Sequence, residues 1–160
     1  MIKLRIILET KEDVIREIAI SKQENLEQLH HSIIKHFNLD EFEMASFYRC
    51  NANLELGEEI SLFDTSENGI PSNIMNNNSI SSILFKEESQ LVYVYDFLKM
   101  WRFHIQFVEE NENLESGCIK SVGEVPDQAP EINFEEERKE EFNPNGDAFD
   151  DSEEFDNYEY

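Results

Sequence analysis

Glycine, proline and cysteine are scarce in this chain of 160 residues, which holds five, four and two of them. Five glycines leave little material for loops that bind phosphate groups, and the glycine-rich loops of nucleotide-binding proteins are missing. The G-x-S-x-G turn of many serine hydrolases and the H-E-x-x-H helix of zinc proteases are also missing. The sequence therefore contains none of these common catalytic signatures that would indicate an enzyme.

Basic residues are also few, because 13 Lys and Arg stand against 36 Asp and Glu, for a net charge of −23. Binding to a nucleic-acid backbone needs basic side chains that displace counterions, so we expect no direct nucleic-acid binding. The charge is uneven: residues 124–160 hold 15 acidic and 2 basic side chains, against 21 and 11 in residues 1–123. This acidic segment either keeps the protein soluble or binds a basic partner.

No apolar run approaches the ~20 residues that cross a bilayer, and residues 1–5 lead directly into a strand pattern without a cleavable signal. Cys50 and Cys118 lack the C-x-x-C spacing of metal or redox motifs. We therefore expect a cytoplasmic protein with two free thiols and no membrane contact. The alternative is that folding brings the two cysteines together as a pair.

Alternating apolar residues predict strands over 2–9 and 14–20, which pair as a hairpin. Helical spacing predicts one main helix over 26–37, where Asn25 and Gln28 form a variant of the capping box. A third strand is predicted over 44–50. Residues 64–79 are rich in Asn, Ser, Gly and Pro and are expected to form an exposed loop insertion.

A short helical turn is expected over 80–85, capped by Ser79, before a final hairpin over 91–108. The order β-β-α-β-short helix-β-β predicts an α+β domain over 1–123, in which a single mixed, mostly antiparallel sheet packs on one main helix. A β-grasp-like layout fits this order. Residues 124–160 are expected to be a largely disordered acidic tail.

The hairpin contains most of the chemically interesting side chains. A three-residue turn, Leu98-Lys99-Met100, sets the large apolar residues on one face and places Asp96 opposite Arg102. Asp96 is then half of an ion pair, and Trp101 belongs to the core. His104 lies on the polar face without a packing role.

Candidate catalytic residues are His30, Asp96 and His104, and Cys118 is a candidate metal ligand. They would serve an accessory hydrolase or nuclease-like enzyme only if folding brings them into one pocket. The alternative is a non-enzymatic interaction module, and we expect no cofactor. Its partner would be a protein bound by the acidic tail, whose aromatics are spaced among acids: Phe142, Phe149, Phe155, Tyr158 and Tyr160.

Several segments together resemble the plasmid pRiA4b ORF-3-like family, and most closely its acidic-tailed branch in Bacteroidetes. They are VIREIAI at 14–20, LEQLHHSII at 26–34, MASFYRC at 44–50, LVYVYDF at 91–97 with Trp101, Arg102 and His104, and CIKSVGEVPDQ at 118–128. The resemblance implies a bacterial α+β domain of unestablished activity with an indirect link to mobile DNA. It does not imply recombinase chemistry, which uses arginines that this chain largely lacks.

Two positions depart from the family pattern. Relatives have a turn with Gly or Asp between YDF and Trp, where this chain has Leu98-Lys99-Met100, with no residue suited to positive φ. Relatives also often have a further cysteine near the place of Val125. A thiolate-rich metal site inherited from the family is therefore not expected.

Overall fold

Seven strands form one sheet in the computed structural model, which describes residues 1–70 and 72–131. Neighbouring strands are antiparallel throughout, in the order β4-β3-β5-β6-β1-β2-β7. The strands are β1 (Ile2–Leu8), β2 (Val14–Ile20), β3 (Ala45–Cys50), β4 (Leu56–Ser61), β5 (Gln90–Tyr95), β6 (Trp101–Glu110) and β7 (Gly117–Val122). The single sheet is confirmed, but the prediction of a mixed sheet is wrong, since these seven strands contain no parallel pair. The β-grasp-like layout stays a prediction.

Two strands, β4 and β7, were not expected from the sequence. Both are edge strands and most of their side chains are exposed, so neither shows the alternation of a half-buried strand. In β4 the exposed run Gly57-Glu58-Glu59 precedes the buried Ile60. Pairing with a neighbouring strand, rather than the local pattern, defines both elements.

The helix α1 (Leu26–Phe37) has the predicted bounds and the predicted cap. The Asn25 side chain accepts from the Gln28 backbone at 3.0 Å, and the Gln28 side chain accepts from the Asn25 backbone at 2.9 Å. One face of α1 is buried against one face of the sheet, and its buried side chains are Leu26, Leu29, His30, Ile33, Ile34 and Phe37. Burying each large apolar side chain contributes about 1.5–3 kcal/mol.

The segment expected as an exposed loop, 64–79, is exposed only in its first part. Residues 64–70 are exposed, whereas Met75 is fully buried in a 3₁₀ turn, Met75–Asn77, that lies against α1. The expected helical turn at 80–85 is a shorter 3₁₀ turn, Ile80–Ser82, and Ser79 makes no side-chain capping bond to it.

Residues Met1–Pro130 form one compact unit. Val125 and Ala129 pack against the core, so the packed part of the chain continues beyond residue 123. The expected disorder of the tail concerns residues that, from 132 onward, lie outside the described part of the chain.

Within residues 1–70 and 72–131, no helix is long and apolar enough to cross a membrane.

The β5–β6 hairpin has the predicted faces but not the predicted register. Tyr95 pairs with Trp101 and Tyr93 with Phe103, so the connection is five residues long, Asp96 to Met100, instead of three. An offset of two residues leaves each side chain on its expected face, because side chains alternate with a period of two. Trp101 is in the core, as predicted. Asp96 and Met100 have φ of 56° and 55°, so this turn does use positive φ without glycine.

Candidate functional site

Asp96 begins the turn and is almost completely buried. Its carboxylate accepts hydrogen bonds from the backbone N–H of Leu98 at 3.1 Å and of Lys99 at 3.2 Å, and its carbonyl accepts one from Met100 at 2.6 Å. These contacts hold the left-handed conformation of Asp96, which costs an ordinary residue about 1–2 kcal/mol. The predicted ion pair with Arg102 is wrong, because Asp96 caps its own turn.

Arg102 has other partners on the sheet face that α1 leaves uncovered. Its guanidinium pairs with the Glu9 carboxylate at 2.9 Å and donates to the carbonyl of Leu54 at 3.1 Å. Leu54 belongs to the connection between β3 and β4, which therefore folds back over this face of the sheet. The two-residue register offset explains why Arg102 is free to make these contacts.

His30 lies in the core, where Nδ1 is 2.7 Å from the hydroxyl oxygen of Tyr93. Burial, and to a smaller extent His31, lower the pKa of His30 to about 4. Burial also raises the pKa of Tyr93 well above its ordinary value, with a smaller effect from Tyr95. Both side chains are therefore neutral near pH 7, and they satisfy each other inside the core.

His104 lies on the opposite face, because its neighbours Phe103 and Ile105 point toward α1. Its Nε2 is 2.9 Å from the Gln90 side-chain oxygen. The Gln90 amide nitrogen donates to the carbonyl of Asn51 at 2.7 Å, so the Gln90 oxygen is the acceptor and His104 donates. Burial, then Arg102, lower the pKa of His104. No packing role for His104 was predicted, and its hydrogen bond to Gln90 supplies a structural one.

The three candidate catalytic side chains do not converge. His30 is on the helix side of the sheet, His104 is on the other side, and Asp96 is in the turn at one end. Each already has a structural partner. A general acid or base must reach its substrate from a shared pocket, and this arrangement offers none to the three together.

Cys118, the candidate metal ligand, is exposed on β7, and its thiol donates to the Lys120 carbonyl at 3.3 Å. Cys50 is on β3, five strand spacings away, which amounts to roughly 24 Å. The two cysteines are therefore not paired. No group of three or more potential metal ligands occurs among the described residues.

A cleft of about 300 Å³ opens at the end of the sheet where Asp96 lies. Its walls come from the C-terminal end of α1, the connection to β3, the β5–β6 turn and the segment after β7. Its lining residues are Phe37, Asn38, Leu39, Asp40, Glu43, Tyr95, Asp96, Lys99, Trp101, Val125, Pro126 and Asp127. Among the three candidate catalytic residues, only Asp96 lines it.

Local contacts fix the shape of this acidic cleft. Asn38 ends α1 in the left-handed conformation and its N–H bonds the Ile34 carbonyl. The Tyr95 hydroxyl donates to the Asp40 carbonyl at 2.7 Å, which anchors the next connection to the sheet. Burial raises the pKa of Tyr95, so this hydroxyl stays protonated.

The electrostatic character of the cleft favours cations. Four carboxylates line it against the single ammonium group of Lys99. The C-terminal end of α1 adds the negative end of the helix dipole. This cleft could not be predicted from the sequence, because three of its four carboxylates lie in connections that only tertiary folding brings together; they are Asp40, Glu43 and Asp127.

Arg16 was also missed, although it is a buried charged residue on the helix side of β2. Its guanidinium donates to the carbonyls of His36 at 3.2 Å and Val122 at 2.8 Å, and it lies 5.1 Å from the centre of the Phe37 ring. Arg16 thus joins the end of α1 to β7. The only sequence signal was a charge at a core-facing position of a strand.

The predicted partner-binding aromatics lie outside the described residues, and their role stays a prediction. They are Phe142, Phe149, Phe155, Tyr158 and Tyr160.

Comparison with known proteins gives a family and a fold relative. A search of curated proteins found no match. The chain is similar to the crystal structure of a protein of unknown function, MM3350, from Methanosarcina mazei Go1, with 17% identity and a TM-score of 0.62. The likeness covers 75% of this chain and 68% of that chain, and at this identity it concerns the fold alone. The family model for the plasmid pRiA4b ORF-3-like protein matches residues 1–131, and the chain therefore belongs to that family.

Proposed function

We propose that this plasmid pRiA4b ORF-3-like domain is a non-enzymatic interaction module of the cytoplasm, linked only indirectly to mobile DNA. Its acidic segment, 124–160, binds a protein partner. The observation that carries the proposal is the separation of charge: this segment holds 15 acidic and 2 basic side chains, with spaced aromatics that include Phe142, Phe149, Phe155, Tyr158 and Tyr160. Acidic segments with interspersed aromatics suit basic or grooved partners.

The geometry of the candidate catalytic residues supports an interaction module over the accessory hydrolase. His30 is held in the core by Tyr93, and His104 is on the opposite sheet face with Gln90. The pKa of each histidine is lowered mainly by burial, which favours a neutral ring in a fixed structural contact. An interaction module that binds through a charged segment does not need the candidate catalytic side chains to meet in one pocket.

The experiment compares the full chain with a variant in which Phe142, Phe149, Phe155, Tyr158 and Tyr160 are replaced by Ala. Substitution is better than truncation at residue 123, because Val125 and Ala129 pack against the core. Both proteins are used as bait in a bacterial lysate, and captured proteins are identified by mass spectrometry. The proposal predicts that specific partners are lost from the variant. Identical partner lists would refute it.

A matched control keeps the composition of the segment. In this control the residues of 132–160 are shuffled, so that charge and aromatic content are unchanged. A dedicated recognition segment loses its partner when shuffled, whereas a segment that acts by charge alone keeps it.

A further inference from the structure

Five large apolar side chains are exposed at the end of the sheet that carries the β5–β6 turn. Leu98 is 97% exposed and Phe42 87%, and the others are between one third and one half exposed. We call this set the tip surface; it consists of Phe42, Met44, Phe97, Leu98 and Met100. Exposed apolar groups that lie together on a folded domain commonly mark an interaction site.

Hydrogen bonds hold the two segments of the tip surface side by side. The Asp96 N–H donates to the Met44 carbonyl at 2.8 Å, which ties the turn to the connection before β3. The Tyr95 hydroxyl donates to the Asp40 carbonyl, and the Asp40 carboxylate accepts from the Phe42 N–H at 2.9 Å. The exposed side chains are therefore presented by a braced backbone, which lowers the entropy lost on binding.

The tip surface adjoins the acidic cleft, because both are built from the same two segments. Asp96 and Lys99 of the turn line the cleft, while Leu98 between them is exposed. Asp40 and Glu43 line the cleft on either side of the exposed Phe42. An apolar surface thus lies next to a negatively charged depression.

We propose that the tip surface and the acidic cleft together bind a protein segment that carries apolar side chains next to Lys or Arg. Apolar groups of the partner cover the tip surface, and a cationic side chain enters the cleft, where the carboxylates stabilise it. This inference deepens the proposed function, on which it rests, by adding a second contact surface and a partner chemistry.

Charge argues against the other occupants of this surface. The acidic segment of the same chain, 132–160, would meet the carboxylates of the cleft with a large excess of like charge. A second copy of the chain carries a net charge of −23 and is repelled in the same way. A basic, partly apolar segment of another protein is complementary to both parts of the surface.

The experiment displays random short peptides and selects those that bind the immobilised full chain. Binding of the selected peptides is then measured in solution through Trp101, the only tryptophan in the chain, which lines the cleft. The proposal predicts that selected peptides are enriched in both basic and apolar residues, and that they change the Trp101 emission. Peptides without basic enrichment would overturn it.

Three variants of the full chain assign the binding to the surface. The tip variant carries Phe97→Ser and Leu98→Ser, the cleft variant carries Asp40→Asn and Asp127→Asn, and the control carries Phe85→Ser. Phe85 is 58% exposed and precedes β5, at the other end of that strand. The tip and cleft variants should each weaken binding about tenfold, and the control should leave it unchanged. Unchanged affinity in the first two variants would refute the proposal.

Two further measurements separate this inference from its alternatives. The full chain in which Phe142, Phe149, Phe155, Tyr158 and Tyr160 are replaced by Ala should bind the peptides as before, so a failure of the tail proposal leaves this result standing. Sedimentation of the unmodified chain should show a monomer. A dimer that the tip substitutions dissociate would overturn the inference in favour of a second copy.

Discussion

His30 and Tyr93 share a hydrogen bond inside the core, with 2.7 Å between Nδ1 and the hydroxyl oxygen. The contact joins α1 to β5 across the packed interior. Burial lowers the pKa of His30 to about 4 and raises that of Tyr93, so a neutral pair is the stable form in the folded protein. The histidine that resembles a catalytic group in the sequence is thus a structural residue whose charge is suppressed.

The folded protein should lose stability as the pH falls through the range set by His30. Its pKa is near 4 when folded and near 6.5 when unfolded, so the unfolded chain binds more protons between these values. His30 therefore makes its full contribution to the free energy of unfolding above pH 6.5. At pH 5, ~2 kcal/mol of this contribution is lost. His36 and His104, whose pKa values are also lowered, act in the same direction.

Urea unfolding at pH 7 and pH 5 measures this loss, with His30→Gln as the test variant and His31→Gln as the control. Gln has no charge to gain, so His30→Gln should reduce the difference between the two pH values by ~2 kcal/mol, although it lowers stability at pH 7. His31 is exposed and is the smaller cause of the lowered pKa of His30, so its variant should keep most of the difference. Equal pH dependence in all three proteins would contradict the assignment.

Replacing Met100 by Gly should stabilise the protein. Met100 has φ of 55°, a left-handed conformation that costs about 1–2 kcal/mol, and glycine adopts it freely. After the entropy cost of glycine in the unfolded chain, a gain of about 0.5–1 kcal/mol is expected in thermal unfolding. The neighbouring Lys99→Gly relieves no such strain and should destabilise. If both variants changed the stability in the same direction, the turn would not be strained at Met100.

Gly123→Ala should be strongly destabilising, because two effects combine at this residue. Its φ is +72°, and a Cβ atom would overlap the carbonyl oxygen of Asp13. We expect a loss of at least ~3 kcal/mol in denaturant unfolding. Gly69→Ala has a similar φ of +74° but open space around it, so it measures the backbone cost alone. If Gly123→Ala lowered the free energy of unfolding no more than Gly69→Ala, the predicted clash with the Asp13 carbonyl would be contradicted.

Arg16→Lys should weaken the attachment of β7 even though it keeps the charge. Lysine has no planar fork and cannot hold the carbonyls of both His36 and Val122, so the expected cost is about 1–3 kcal/mol. Arg5→Lys is the control, because Arg5 contacts a single carboxylate, Glu17, which lysine also pairs with. Hydrogen exchange of the β7 amides should accelerate only in Arg16→Lys. Equal acceleration of exchange in both variants would contradict the claim that Arg16 attaches β7.

Elements with strong local signals could be predicted from the sequence. The helix over 26–37 was found because its period and its cap, Asn25 with Gln28, agree. The face of each hairpin residue was found because alternation is unaffected by a two-residue offset. The register itself was wrong, since the turn length depends on positive φ at Asp96 and Met100, which their side chains do not indicate.

Features that depend on tertiary contacts could not be predicted. The strands β4 and β7 are exposed edges, recognisable only by the strands with which they pair. The acidic cleft needs Asp40 and Asp127, which are distant in sequence. The sequence also offered His30, Asp96 and His104 together, and only the fold shows that the sheet separates the two histidines.

The salt dependence of partner binding tests the central claim most directly. The affinity of a captured partner for the full chain is measured over a range of ionic strength, beside the five-aromatic variant and His104→Gln. An interaction module that binds through its acidic segment predicts weaker binding as salt rises, loss of binding in the aromatic variant and no change in His104→Gln. An affinity that is independent of salt and of the aromatics, but is lost with His104→Gln, would contradict the account.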